Sequence, residues 1–265
     1  MIKDEDKLIP VERRQQIIDY LLLKKIATIS EISKKFNISE MTVRRDLIIL
    51  IKEELLEKVF GGVMVNTKSR EPLFNQRIVT NILEKKKIAQ EALKRINDND
   101  VIFIESGTTC LELAKLLNSK KNITVITAAP HILTELRNLK NNNNFNGEIM
   151  CCGGYLRGDP DDIFIGERAI EFFNNIKINI TFFGILAINF KDGWMVSSSF
   201  EAELVRKVAS VSNKTIGIMD SSKFNNTSFS KVGPINLLNE IITDNKYINK
   251  NIKNDIGKRI KLTVV

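Results

Sequence analysis

A chain of 265 residues with 43% hydrophobic and 27% charged content has room for two domains and an ordinary core. Its net charge of +8 and pI near 9.3 suit an anionic partner, although Lys, Ile and Asn are abundant throughout and acid nearly balances base in the first sixty residues. Cys110, Cys151 and Cys152 have neither metal nor disulfide-framework spacing, the charged first ten residues make no signal peptide, and no apolar run nears the roughly 20 residues that span a bilayer, so a cytoplasmic chain without a membrane partner is expected.

Pro10 can open a first helix, with Ile17, Ile18, Leu21 and Leu22 recurring at helical spacing. Ser30 reads as the N-cap of a short helix over 31–36 that buries Ile32 and Phe36. Glu31 suits its positive end, Asn37 a turn and Ile38 a core plug. Ser39 then caps a helix that starts SEMTVRRDL, residues 39–47. At about 100° per residue, Val43, Leu47, Leu50, Ile51 and Leu55 share one side. Met41, Arg45, Ile48 and Lys52 lie opposite, with Thr42 and Arg44 on the flanks. A helix that is polar and basic in its N-terminal half is what a recognition helix inserts into the major groove. Ile48 and Ile49 are odd on that face, and either thymine methyl groups or the rest of the protein would cover them.

Residues 56–65 read as two short strands around Gly61-Gly62, a wing beside the basic Lys58. The predicted module is a winged helix-turn-helix over 1–66. Its candidate contacts to double-stranded DNA are Ser39, Met41, Thr42, Arg44, Arg45, Lys58, Gly61 and Gly62.

The polar, proline-bearing stretch 67–82 reads as a linker, and 83–265 as a larger domain. There helices over 84–96, from about Thr109 and over 130–139 are interleaved with strands at 101–104 and 123–126. Further strands are expected at 148–151, 178–185, 215–219, 240–242 and 262–265. Such alternation predicts an α/β fold with a mostly parallel sheet covered by helices on both faces.

Ser106-Gly107-Thr108-Thr109 follows a buried strand and opens a helix. Glycine allows close backbone approach, the hydroxyls donate, and a helix N-terminus favours an anion, which together would hold a phosphate. The same residues also make an ordinary glycine turn with a threonine cap. Gly153-Gly154 follows a second strand and Asp220-Ser221-Ser222-Lys223 a third, so all three segments are expected at one pocket beyond the strand ends. Lys223 would bring a point charge to a phosphate, or else be a solvated surface lysine. Arg157, in a polar turn over 157–162, is a further candidate.

In this order the TVRRDL helix, the Gly61-Gly62 wing, Arg77, the lysine helix from Glu84 and Gly107-Thr108-Thr109 resemble the DeoR family of bacterial transcription regulators. Val125-Ile126-Thr127, Gly153-Gly154, Gly166, Phe183-Gly184, Asp220 to Lys223 and Ile242-Thr243-Asp244 extend the resemblance over nearly the whole chain. It implies a sensor domain like ribose-5-phosphate isomerase, in which Ser106, Gly107, Thr108, Thr109, Gly153, Gly154 and Lys223 meet a phosphorylated sugar or related metabolite. It also implies a homo-oligomer, dimer or tetramer, that represses sugar or related carbon metabolism genes without catalysis, cofactor or metal. The chain departs from the family's pattern at Glu105, where aspartate is usual, at Ala128, usually asparagine, and at Cys110, often threonine.

Two other readings stay open at the level of sequence. One is a sugar-phosphate isomerase or kinase with an appended DNA-binding module, for which Glu105 and Asp220 would have to supply the base, since His131 at a helix start reads as structural. The other is a C-terminal domain that only oligomerises, which the phosphate-type turns speak against.

Overall fold

The computed structural model describes residues 10–52, 56–65, 74–158 and 162–265. The chain divides into two compact units, Met1–Pro72 and Leu73–Val265. Leu55, the side chains of Ile18 and Leu22, and residues 67–73 and 159–161 of the predicted linker and polar turn lie outside the description.

The first unit runs α1 (Pro10–Lys24), β1 (Ile26–Ala27), α2 (Ile29–Phe36), α3 (Glu40–Lys52), β2 (Leu56–Val59) and β3 (Gly62–Val65). Its strands form an antiparallel sheet in the order β1-β3-β2. Ile17, Leu21, Ile32, Val43, Leu47, Leu50, Leu56 and Val63 make one core, with Phe36, Ile38 and Ile51 packed on it. The helix-period pattern thus reaches the core as expected. The cap of α2 does not. Thr28, not Ser30, is the N-cap: its Oγ1 accepts from the Glu31 N–H at 3.2 Å, while the Glu31 carboxylate accepts from the Thr28 N–H at 2.8 Å. This capping box starts the helix two residues early, because a reciprocal pair satisfies two orphan donors where Ser30 alone would satisfy one.

The second unit opens with α4 (Phe74–Val79), α5 (Ile82–Leu93), β4 (Val101–Ile104), α6 (Thr108–Ala114), β5 (Thr124–Thr127), α7 (Pro130–Asn141) and β6 (Glu148–Cys151). It continues through β7 (Tyr155–Arg157), β8 (Ile163–Ile165), α8 (Glu167–Glu171), β9 (Ile178–Gly184), β10 (Ala187–Asn189) and β11 (Gly193–Val196). The last elements are α9 (Ser199–Ser210), β12 (Ser212–Ile218), β13 (Ser230–Gly233), β14 (Glu240–Thr243), α10 (Lys250–Gly257) and β15 (Lys261–Val264). The second half of the stretch read as linker is therefore helical. Phe74 of α4 lies on the His131 ring, centroids 4.1 Å apart.

Among the described residues a seven-stranded parallel sheet runs β15-β14-β12-β9-β4-β5-β6. Its strands read as near-continuous β-branched runs, such as VIFI and TVIT, because both faces are covered. Ile102, Ile104 and Phe182 pack with Ile88 of α5, Leu113 of α6 and Ile132 of α7. Phe103 and Phe183 point the other way, into a core with Ala169 of α8, Leu204 and Val208 of α9 and Ile256 of α10. That second core also takes in Trp194 of the small antiparallel sheet β10-β11-β13, which the sequence pattern had not revealed.

Glu240, fully buried at the start of β14, ties the sheet to the loop after α5. Arg95 donates to it from Nη2 at 2.7 Å and Nε at 3.2 Å, and Thr263 Oγ1 at 2.7 Å; Lys214 and Lys261 stand at 3.4 and 3.3 Å. Burial pushes this carboxyl upward, but the Arg95 and Thr263 donors and the flanking cations outweigh it and hold the pKa at about 2. Because the folded value lies below the ordinary 4.5, the stabilisation is complete above that pH and is lost as pH falls toward 2. Denaturant melts should show Glu240→Ala losing about 3–5 kcal/mol at neutral pH, with the deficit shrinking in acid.

Candidate functional site

In the first unit the start of α3 is set by Ser39, whose Oγ accepts from the Thr42 N–H at 3.2 Å and lies 2.9 Å from Thr42 Oγ1. The helix buries Val43, Asp46, Leu47 and Leu50 and leaves Met41, Arg44, Arg45 and Ile48 exposed. Arg44 has Glu40 at 3.7 Å, an exposed pair that leaves it available to a stronger anion. Asp46 was not singled out from the sequence, yet it fixes how the helix sits. It is 3% exposed and receives Arg13 Nε at 2.6 Å and Nη2 at 3.1 Å, with Arg14 Nη1 at 3.8 Å. Hydrogen bonding to Asp46 in turn raises the Arg13 pKa. The signal was present: an aspartate three residues after Val43 and four before Leu50 sits on the apolar face and needs a cation.

The wing is a two-residue hairpin, since Val59 pairs with Gly62 and leaves Phe60-Gly61 as the loop. Gly61 takes φ +92°, open only to glycine at low cost. Gly62 has a different reason, for a Cβ there would collide with the Ala27 carbonyl of β1. Lys58 is exposed beside that turn.

In the second unit the ends of β4, β9 and β12 open onto a cleft. Ser106, Gly107, Thr108, Thr109 and Lys223 all line it, as the sequence predicted. Gly107 takes φ +105° where the chain turns from β4 into α6. Gly153 and Gly154 are not on its lining. Gly153 adopts a left-handed turn at φ +67°, and a Cβ on Gly154 would meet the Ile165 carbonyl, so close packing of the β7-β8 hairpin accounts for that glycine.

Instead the cleft collects residues from far along the chain. Arg77 of α4, Lys85 of α5 and Glu201 of α9 join it beside Asp220 of the expected third segment, all four at least nine-tenths buried. Lys85 Nζ donates to the Arg77 carbonyl at 2.5 Å. Burial pushes the Lys85 ammonium down to about 8; Asp220 pulls it back up, while Lys223 and Arg77 push it further down. The two carboxylates are oriented from behind. Asp220 accepts from Asn81 Nδ2 at 3.0 Å and the Ser222 N–H at 3.2 Å, and Glu201 accepts from Ser197 Oγ at 2.9 Å. Arg157 reaches Glu201 at 3.4 Å and so stands one contact behind the cleft. Lys85 and Glu201 were legible in part: each heads an i, i+3, i+4, i+7 row, with Ile88, Ala89 and Ala92, and with Leu204, Val205 and Val208. An ionisable residue on such a row is buried, and its burial needs a reason.

Both halves match known families. Residues 13–69 match the DeoR-like helix-turn-helix domain, and residues 80–245 match the DeoR C-terminal sensor domain. The chain belongs to the DeoR family of transcriptional regulators. It is 31% identical over 259 residues to YulB, an uncharacterized HTH-type transcriptional regulator of Bacillus subtilis, covering 97% of this chain and 98% of the relative. It is 28% identical to a putative aga operon transcriptional repressor of Escherichia coli O157:H7, over 88% and 86% of the two chains. A lactose phosphotransferase system repressor of Staphylococcus epidermidis is 31% identical over 84% and 88%. Among solved structures, ribose 5-phosphate isomerase A from Methanocaldococcus jannaschii is similar over 55% of each chain, with a TM-score of 0.39 and 14% identity. Family membership rests on the sequence matches and not on that likeness. This DeoR-family chain is thus a DNA-binding regulator with a sensor domain, and no helix among its described residues is long and apolar enough to cross a membrane.

Its departures from the family's pattern fall behind the cleft. A Glu105 carboxylate oxygen accepts from the Gly184 N–H at 2.9 Å, bracing β4 against β9. Ala128 is fully buried among apolar side chains, and Cys110 is fully buried with its Sγ 4.0 Å from the Phe182 carbonyl.

A lysine whose folded pKa is depressed costs stability while it is charged. The cost is present below pH 8 and fades as pH rises toward 10.5, where the unfolded chain also loses the proton. Lys85→Met should therefore melt at or above the wild type at pH 7 in the absence of ligand, and the difference should narrow above pH 8. Thermal melts across that range would read it.

Proposed function

We propose that this regulator represses sugar or related carbon metabolism genes and that a phosphorylated sugar or similar metabolite, bound in the cleft, changes its affinity for operator DNA. One observation carries the sensing half. Three cations, Arg77, Lys85 and Lys223, converge on a cleft also lined by Ser106, Thr108 and Thr109, and burial already drives Lys85 toward losing its proton. A phosphate dianion relieves that crowding and gives the hydroxyls and the Gly107 turn a partner, through charge-assisted hydrogen bonds. Glu201 and Asp220 suit the hydroxyls of the sugar. The proposed effector contacts are Ser106, Gly107, Thr108, Thr109 and Lys223, joined by Arg77 and Lys85, without Gly153 and Gly154. Relatives named for the aga operon and the lactose phosphotransferase system favour sugar genes and repression.

The reading half is assigned to Ser39, Met41, Thr42, Arg44 and Arg45 of α3 and its cap, with Lys58, Gly61 and Gly62 of the wing against the DNA backbone. Paired half-sites need paired readers, so a homo-oligomer belongs to the same proposal. Within it, the reader occupies 1–66 and the sensor 83–265. The intervening 67–82 is then more than a tether, since Arg77 of α4 reaches the cleft.

Gel shifts of the chain's own upstream promoter with a panel of pentose and hexose phosphates test both halves. Arg45→Ala should lose about 1–3 kcal/mol of operator binding if it pairs with guanine, and an unchanged footprint removes it from the site. Lys223→Ala should blunt the effector response while operator affinity without effector stays intact. Phosphate binding raises the Lys85 pKa, so effector affinity should hold level from about pH 7 to 8 and decline above it, as calorimetric titration would show.

A further inference from the structure

The outward face of α3 carries more than cations. Met41 is 62% exposed and Ile48 63%, and both stand on the side opposite Val43, Leu47 and Leu50. Arg45 lies between them on the same face, Arg44 flanks it and the exposed Lys52 ends it. Two large apolar side chains held in water at the centre of a cationic face call for an apolar group that belongs to a polyanion. Duplex DNA offers one in the major groove: the C5 methyl of thymine.

We propose that Met41 and Ile48 read thymine methyl groups and so set operator specificity on either side of the Arg45 contact. The inference rests on the reading role proposed above for α3. Its geometry is restrictive. The two residues are seven positions apart, which is about 10 Å of helix, or about three base-pair steps at 3.4 Å. The cap at Ser39 and the Asp46–Arg13 pair fix the start and roll of the helix, so the spacing is built in rather than adjustable. An operator half-site should then hold two thymines about three base pairs apart, with the base read by Arg45 between them. Ile49, 37% exposed, sits to one side of this row and is not part of it.

Competing occupants for an apolar helix face are a second copy of the chain or another protein, and the surrounding Arg44, Arg45 and Lys52 argue against a like-charged copy. The test uses the full-length protein and the footprinted region of its own promoter. Each thymine in the footprint is replaced singly by deoxyuridine, which deletes the methyl and keeps the hydrogen-bonding pattern. Binding is read by fluorescence anisotropy. Two positions about three steps apart should each lose roughly 3- to 10-fold in affinity, with the other thymines of the footprint unaffected.

Ile48→Ala should lose a similar factor on the thymine probe and become indifferent to uracil at one of those positions. Met41→Ala should do so at the other. Both side chains are exposed, so both variants should keep the wild-type melting temperature. The proposal is overturned if the uracil probes bind as tightly as thymine, or if the Ile48→Ala loss is the same on both. It is likewise overturned if that variant instead changes the oligomer size on a sizing column. Those results leave DNA reading by α3 standing. Failure of the wild type to bind the promoter with either base would remove that reading and this inference together.

Discussion

The second unit is organised around positive charge held out of water. Lys85 and Arg77 are nearly buried, Lys223 joins them on the same cleft, and the surrounding carboxylates are partly committed to neighbours behind the wall. Burying an ammonium is costly, and Lys85 shows it by the fall of its pKa to about 8. The fold tolerates this because the parallel sheet beneath is dry on both faces and locked at its far side by Glu240 with Arg95 and Thr263. An anion bound in the cleft, as proposed above, would offset that cost.

The first unit uses the same device in the opposite sense. Asp46 is buried with its counter-ion, bidentate to Arg13, and the pair fixes α3 instead of attracting a ligand. Its partner arginine is consumed by structure. Arg44 and Arg45 remain on the surface, so the SEMTVRRDL run divides into residues that hold the helix and residues that present themselves outward. The wing repeats that division, with Gly62 packed against β1 and Lys58, Phe60 and Gly61 turned to solvent.

Sensing has to bias one arrangement of the chain over another, and it can do so only by the difference in effector affinity between them. Arg77 matters for this reason. It lines the cleft from α4, the first described helix of the second unit, five residues beyond the last residue of the first. Lys85 donates to the Arg77 backbone carbonyl, so the two cations are tied to each other at the start of this unit.

Local rules carried the sequence reading a long way. Apolar rows at helical spacing gave α1 and α3, alternation with strands gave α5 and α7, β-branched runs gave the strands of the parallel sheet, and a glycine after a buried strand gave the Ser106–Thr109 turn. Each of these is decided within a few residues. Even the misplaced cap of α2 was local, since Thr28 and Glu31 are three apart and form a capping box that Ser30 obscured. The strand-end rule put Ser106–Thr109 and Lys223 on one cleft, but tertiary structure alone decided what else joins them. Arg77, Lys85, Glu201 and Lys223 come from four separate elements, and whether Gly153-Gly154 or Arg77 reaches the same cavity depends on how the layers pack over the sheet. Periodicity could mark Lys85, Glu201 and Asp46 as buried charges, but their partners lie many residues away, and only the folded chain brings those partners within reach.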